Sequence, residues 1–242
     1  MRSAALIALL GLTMGANAQM NILRSFLALN AKSALRTAAG KRLLAEEAVG
    51  WPDSLGRLAS KPDRLVRVAP DFAAARVQGL NGDRKPVADL YFYLRRKAGI
   101  WDVVAFRALA RTGIIEMARD ELLKKKELTS EESRMLLNAK LVLSSDHDLC
   151  LYFSAHRPEL ETMASRLKGR LADPVLTEDL KGIGFSTADR ADEVVRLAIG
   201  GILDDTVGFL KVQRGGRPPI ISPHKYIWLE PLSGGWYLFK TT

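Results

Sequence analysis

The chain has 242 residues, 48% of them hydrophobic and 26% charged, with 36 Lys and Arg against 27 Asp and Glu for a formal net charge of +9. This length and apolar content exclude a disordered chain, and the single cysteine, Cys150, excludes an internal disulfide framework, so the fold must rest on its apolar core. The positive balance favours anionic neighbours such as lipid headgroups or acidic polymers. It does not point to nucleic acid, because the cations are scattered and the chain carries an export signal.

That signal occupies residues 1–20. Arg2 supplies the positive start, Ala4 to Leu12 the apolar run, and Ala16-Asn17-Ala18 the small-residue stop of a secretory leader cleaved near Ala18. The competing reading is a buried N-terminal helix. The run is shorter than the roughly 20 residues a bilayer span needs, and no later segment is as long and uncharged, so the mature chain is expected to have no transmembrane segment. No cysteine follows the cleavage site to carry a lipid anchor. A periplasmic or secreted location is the expectation.

From Leu23 to Ala48, Phe26, Leu27, Leu35, Ala38, Leu43 and Leu44 approximate a helical stripe interrupted at Gly40. A short helical piece after Trp51-Pro52 precedes four strand-like runs: Arg64 to Ala69, Ala74 to Gln78, Ala88 to Arg95 and Ile100 to Leu109. Asn81-Gly82 and Ala98-Gly99 supply the tight turns between them. The basic cluster Arg95-Arg96-Lys97 falls at a hairpin tip, and Lys124-Lys125-Lys126 at a helix end, where long cations are well solvated.

Gly113 to Leu143 reads as helical, with Ile114, Ala118 and Leu122 at four-residue spacing and a second helix opened by a Thr129/Glu132 capping box. Ser145 with Asp148 caps a further short helix, and Pro158 begins the next, whose buried side continues through Leu160, Met163 and Leu167. Ser186 and Asp189 repeat the capping pattern ahead of a helix through Ala191, Val194, Val195, Ala198 and Ile202, weakened by Gly200-Gly201. Val207 to Val212, Lys225 to Glu230 and Gly235 to Lys240 read as strands.

A shift of 135 positions, 226 minus 91, places Val77-Gln78 on Val212-Gln213, Tyr91 on Tyr226, Leu94 on Leu229, Gly99 on Gly234 and Trp101 on Trp236 without a gap. Convergence of two ordinary hairpins competes with an internal duplication, and duplication is the favoured reading. The expected fold is α+β: a signal peptide at 1–18, a first unit at 21–110, a helical insert at 111–145 and a related second unit at 146–242. Each unit combines helices with a curved antiparallel β-meander.

The helix followed by a meander with a Gly-x-Trp hairpin, Tyr91-Phe92-Tyr93-Leu94 to Gly99-Ile100-Trp101, echoed by Tyr226-Ile227-Trp228-Leu229 and Gly234-Gly235-Trp236, resembles the nuclear transport factor 2-like, cystatin-like cone family. The resemblance covers the two hairpins, about a quarter of the chain. It implies a fold and no single activity, because such families include enzymes, binding domains and assembly modules. No catalytic Asp/His pair of the enzyme members maps onto this chain.

Little else carries chemistry. His147, His156 and His224 show no metal-ligand spacing, so no metal or cofactor is expected. Asp146-His147-Asp148 suits a helix start better than a cation site. Cys150 sits between Leu149 and Leu151 as an inert thiol. Gly182-Ile183-Gly184 lacks the strand and third glycine of a phosphate loop, and Glu46-Glu47, Glu131-Glu132 and Asp204-Asp205 diverge as neighbours. Tyr91 and Tyr93 face one side of their strand and Phe92 and Leu94 the other, a pattern the Tyr226 to Leu229 run repeats. This two-sided apolar surface makes Tyr91, Tyr93, Trp101, Tyr226, Trp228 and Trp236 the candidate surface for a partner protein or a small apolar ligand, unless helices and sheets of the same chain cover it. The expected function is therefore non-catalytic binding. The alternative is a small-molecule enzyme of the cone type with Asp102, Tyr91 or His224 as base, and electrostatic attachment to an anionic envelope surface is a third reading.

Overall fold

The computed structural model describes residues 44–49, 59–80, 86–108, 113–202 and 205–242. The leader, most of the first helical stripe, the piece after Trp51-Pro52 and the Asn81-Gly82 turn lie outside the described residues. The chain divides into two compact units, Met1–Ala108 and Leu109–Thr242. Each carries a five-stranded sheet, and the described helices all lie in the second, so the class is α+β.

In the first unit, β1 (Leu44–Val49), β2 (Ala59–Ala69), β3 (Phe72–Leu80), β4 (Pro86–Lys97) and β5 (Ile100–Ala108) stand in the order β1-β5-β4-β3-β2. Strands β2 to β5 form an antiparallel meander, which short turns and period-two apolar patterning favour. Ala98 and Gly99 join β4 to β5 with φ of 49° and 85°, the left-handed pair that a two-residue hairpin needs to match strand twist. Phe92 and Phe106 lie opposite each other, their ring centroids 5.2 Å apart. Residues 44–48 correct the helical reading of Leu23–Ala48, because they lie in β1, parallel to β5. Pairing to a sheet edge outweighs the helix propensity of Leu, Ala and Glu.

The second unit starts with α1 (Gly113–Leu123) and α2 (Ser130–Val142). Thr129 and Glu132 form the expected reciprocal cap at the head of α2, and hydrogen bonds to Glu132 from Lys125 and from Thr129 hold its carboxyl down at about 2. Next come α3 (Asp146–Arg166), capped by Ser145, and α4 (Pro174–Gly182), capped by Asp173. Pro158 does not start a helix: α3 runs through it for 21 residues. The prolyl ring sits on the exposed side, while Leu149, Phe153, Leu160 and Ala164 keep one face of the helix buried, and that packing outweighs the missing backbone bond.

The helix expected over Ala191–Ile202 is a hairpin, β6 (Thr187–Ala191) and β7 (Val194–Ile202). Asp192, at φ 52°, makes the turn, Asp189 and Arg196 pair directly across it at 2.7 Å, and Val195, Leu197 and Ile199 alternate inward. The same apolar residues approximate a helical face, but β-branching and alternation decide for strand. Ser186 does not cap a helix; its N–H extends the ladder to the Ala198 carbonyl. With β8 (Asp205–Val212), β9 (Tyr226–Pro231) and β10 (Trp236–Thr241) the order is β6-β7-β8-β10-β9. Helices α2, α3 and α4 pack on one face of this sheet, where Leu141, Phe153, Leu180 and Phe185 meet Leu197, Phe209, Trp236 and Leu238.

Sheet order separates the two units. β4 lies inside its sheet between β3 and β5, whereas β9, its counterpart under the 135-residue shift, lies at an edge and β8 pairs with β10 instead.

One ion pair lies deep in the second unit. Asp146, at the first turn of α3, is 0% exposed and its Oδ1 is 2.6 Å from Nζ of Lys240, 2% exposed on β10. Removing one partner leaves the other charged in an apolar setting, which costs far more than the pair contributes. Asp146→Ala is expected to lower unfolding free energy by about 3–5 kcal/mol in urea titration, and Asp146→Leu combined with Lys240→Met to recover most of that loss.

Candidate functional site

The aromatic side chains of the two hairpins are interior. Tyr91, Tyr93 and Trp101 in the first unit and Tyr226, Trp228 and Trp236 in the second are all buried, so none presents an exposed ring. Tyr91 through Leu94 are buried in succession, which means that both faces of β4 are covered. Burial raises the Tyr93 hydroxyl well above its ordinary value, against the opposing charge of Arg107. Trp236 stands 5.6 Å from the Phe153 ring within the helix-covered core, and Tyr226 meets Phe239 edge-on at 6.1 Å. The sequence pattern identified the large apolar side chains correctly as strand residues, and their burial matches the competing expectation that the chain covers its own two-sided apolar surface.

The candidate bases differ in their burial. Tyr91 is fully buried, Asp102 is half-buried on β5, and His224 is exposed before β9. His156 packs its ring 4.2 Å from that of Tyr152 and holds Glu159 at 2.8 Å, as a helix-surface residue does. Among the described residues no three His, Cys, Asp or Glu side chains converge to hold a metal ion. His147 and Asp148 are exposed at the head of α3, where Asp148 completes the Ser145 cap.

What the second unit does present is a groove of about 590 Å³ between α1, α2 and the β7 side of the sheet. Ile114, Ile115, Ala118 and Leu122 of α1 and Met135, Asn138, Ala139 and Val142 of α2 line it together with Phe185, Ala198 and Gly200, and polar and charged side chains contribute as well. Ile114 is 68% and Met135 52% exposed, so apolar surface lies open to solvent here. Asn138 donates from Nδ2 to the Gly184 carbonyl at 2.8 Å and to the Ile199 carbonyl, fastening α2 to β7. Gly184 is needed beside it: its φ is +77°, and a Cβ there would stand 2.6 Å from Cδ1 of Leu141. At the rim Arg134 meets Glu178 at 3.0 Å and Lys181 meets the same carboxylate at 2.7 Å, with Glu131 3.9 Å from Arg134. Sequence reasoning missed this groove. It placed Ile114, Ala118 and Leu122 on a helix at four-residue spacing, and of these only Leu122 is buried.

A second, polar hollow of about 650 Å³ is lined by Arg190, Lys211, Arg214 and Glu161. Glu161 accepts from Lys211 Nζ and, at 2.8 Å, from Trp236 Nε1. Partial burial pushes its carboxyl pKa up, but those hydrogen bonds, with the charges of Lys211 and Arg157, prevail and leave it below the usual value.

No protein-family model matches the chain, and neither a curated protein nor a solved structure shows similarity to it.

Because the Glu161 carboxyl titrates lower in the folded protein than in the unfolded chain, its stabilising share is complete above about pH 4.3 and is lost as pH falls through the folded value. Glu161→Gln should therefore lower the urea midpoint at pH 7 and flatten its decline between about pH 5 and pH 3. Parallel declines for the two proteins would remove Glu161 from the acid response.

Proposed function

We propose that the protein is an exported, non-catalytic binding protein that holds a small apolar ligand in the groove between α1, α2 and β7. The observation that carries this reading is the groove itself: about 590 Å³ in volume, with apolar side chains outnumbering the polar and charged ones in its lining. Sites for small molecules have this size, with apolar walls supplying affinity and polar atoms setting orientation. The buried hairpin rings move the expected binding from the sheet surfaces to the helix side of the second unit. Export is supported by the leader pattern of residues 1–20.

A relation between the two units, and with it the cone-family likeness, is supported by overlap in sequence. Under the 135-residue shift each of β2, β3, β4 and β5 falls on β7, β8, β9 and β10 in turn. The differing sheet orders weigh against it.

Attachment to an anionic surface is a second reading, favoured by the net charge of +9 and by the three cations around Glu161. Retention on vesicles containing anionic lipid should then fade as salt rises from about 0.05 to 0.5 M.

The groove reading is tested with the apolar fluorophore N-phenyl-1-naphthylamine. Ala118 lines the groove and is exposed, so Ala118→Trp should fill the space and abolish dye binding while the thermal midpoint stays put. Trp236→Ala instead removes a core ring and should cost about 3–5 kcal/mol of stability. Dye binding that survives Ala118→Trp would place the ligand elsewhere.

A further inference from the structure

The polar atoms of the groove are asymmetric in what they offer. Asn138 gives both Nδ2 protons to backbone carbonyls, those of Gly184 and Ile199. Because both partners are acceptors, they dictate which end of the amide faces them, and Oδ1 is turned away. It lies over bare backbone, 3.4 Å from where a Gly200 Cβ would stand, and both residues line the groove. Ser186, also in the lining, donates its one hydroxyl proton to the Ala198 carbonyl at 3.1 Å. Two polar side chains of the groove thus present lone pairs and no proton. Thr187 and Thr206 carry further hydroxyls that can turn to donate or accept and do not discriminate. The rim adds no net preference for charge, since Arg134 and Lys181 are matched by Glu178, with Glu131 3.9 Å from Arg134.

We propose that the groove selects a neutral apolar molecule bearing a hydrogen-bond donor, an aliphatic alcohol in chemical class. This rests on the groove reading above and specifies its ligand. An alcohol brings the proton that Asn138 Oδ1 and Ser186 Oγ lack. A carboxylate sets its own charge against those lone pairs, and an ether opposes lone pair to lone pair while filling the same volume. Ser186 is exposed and Asn138 half-buried, so discrimination arises where the bound molecule shuts water away from their lone pairs and an isostere without a proton leaves them unmatched.

The test displaces N-phenyl-1-naphthylamine from the full chain at pH 7 with 1-octanol, octyl methyl ether and octanoate. The expected result is displacement by octanol at a concentration about ten-fold or more below that needed for the other two, with no dye bound to Ala118→Trp in the first place. Asn138→Leu should bring the octanol and ether values together; because this change also removes the two bonds that fasten α2, the wild-type comparison decides if the variant does not fold. Equal affinities for the three ligands, or a preference for octanoate, would overturn the donor requirement and leave the groove standing. Failure of all three to compete with a bound dye would overturn the groove as a ligand site and this inference with it.

Discussion

The contact between Asp146 and Lys240 is the constraint around which the second unit is arranged. Two oppositely charged groups with almost no access to water contact each other only when the head of α3 and the C-terminal end of β10 are held in register, since a shift of either breaks a contact between buried charges. The pair thereby fixes where α3 begins. From that point its 21 residues run across the sheet and carry Phe153 to Phe209 and Trp236, with ring centroids 5.3 and 5.6 Å apart. Further along the helix, Glu161 reaches Lys211 on β8 and the Trp236 indole on β10, a second polar tie between the same two layers. The hydrophobic core supplies most of the driving force, and these two ties determine which of many apolar packings is adopted.

Much of the architecture was legible in the sequence wherever the chemistry is local. Seven strands were placed to within a few residues because their alternation, and turns such as Ala98-Gly99, depend on neighbours in the chain. The Thr129/Glu132 cap was legible for the same reason. Other elements were not. Residues 187–202 satisfy helical and strand periodicity together, and what decides is the sheet they join, β6 pairing with β7 and β7 with β8. The continuation of α3 through Pro158 depends on packing of Leu149, Phe153 and Leu160. Leu44–Val49 becomes a strand only because β5 offers it an edge. Sheet order was equally hidden: two hairpins with matching residues enter their sheets differently, and no local signal records which strand becomes the neighbour.

The candidate site shows the same division. Residue types told where large rings lie in the chain, but burial is decided by what arrives from elsewhere, and the rings proved interior. The groove is assembled from α1, α2, β7 and the turn around Gly184, and none of its residues is unusual in its own segment. Asn138 gains meaning only when Gly184 and Ile199, 46 and 61 positions away, place their carbonyls around its amide. A mid-helix asparagine read alone is merely a weak helix former.

The helices of the second unit are unequally rooted. α3 buries five side chains and α2 four, whereas α1 contributes Leu122 alone. Lifting α1 by a few ångströms therefore uncovers little oil-like area, making it the least expensive local opening on that side of the protein. On the proposed reading, a guest molecule would be admitted along this wall while the ion pair and the ring cluster behind it stay in place, without global unfolding.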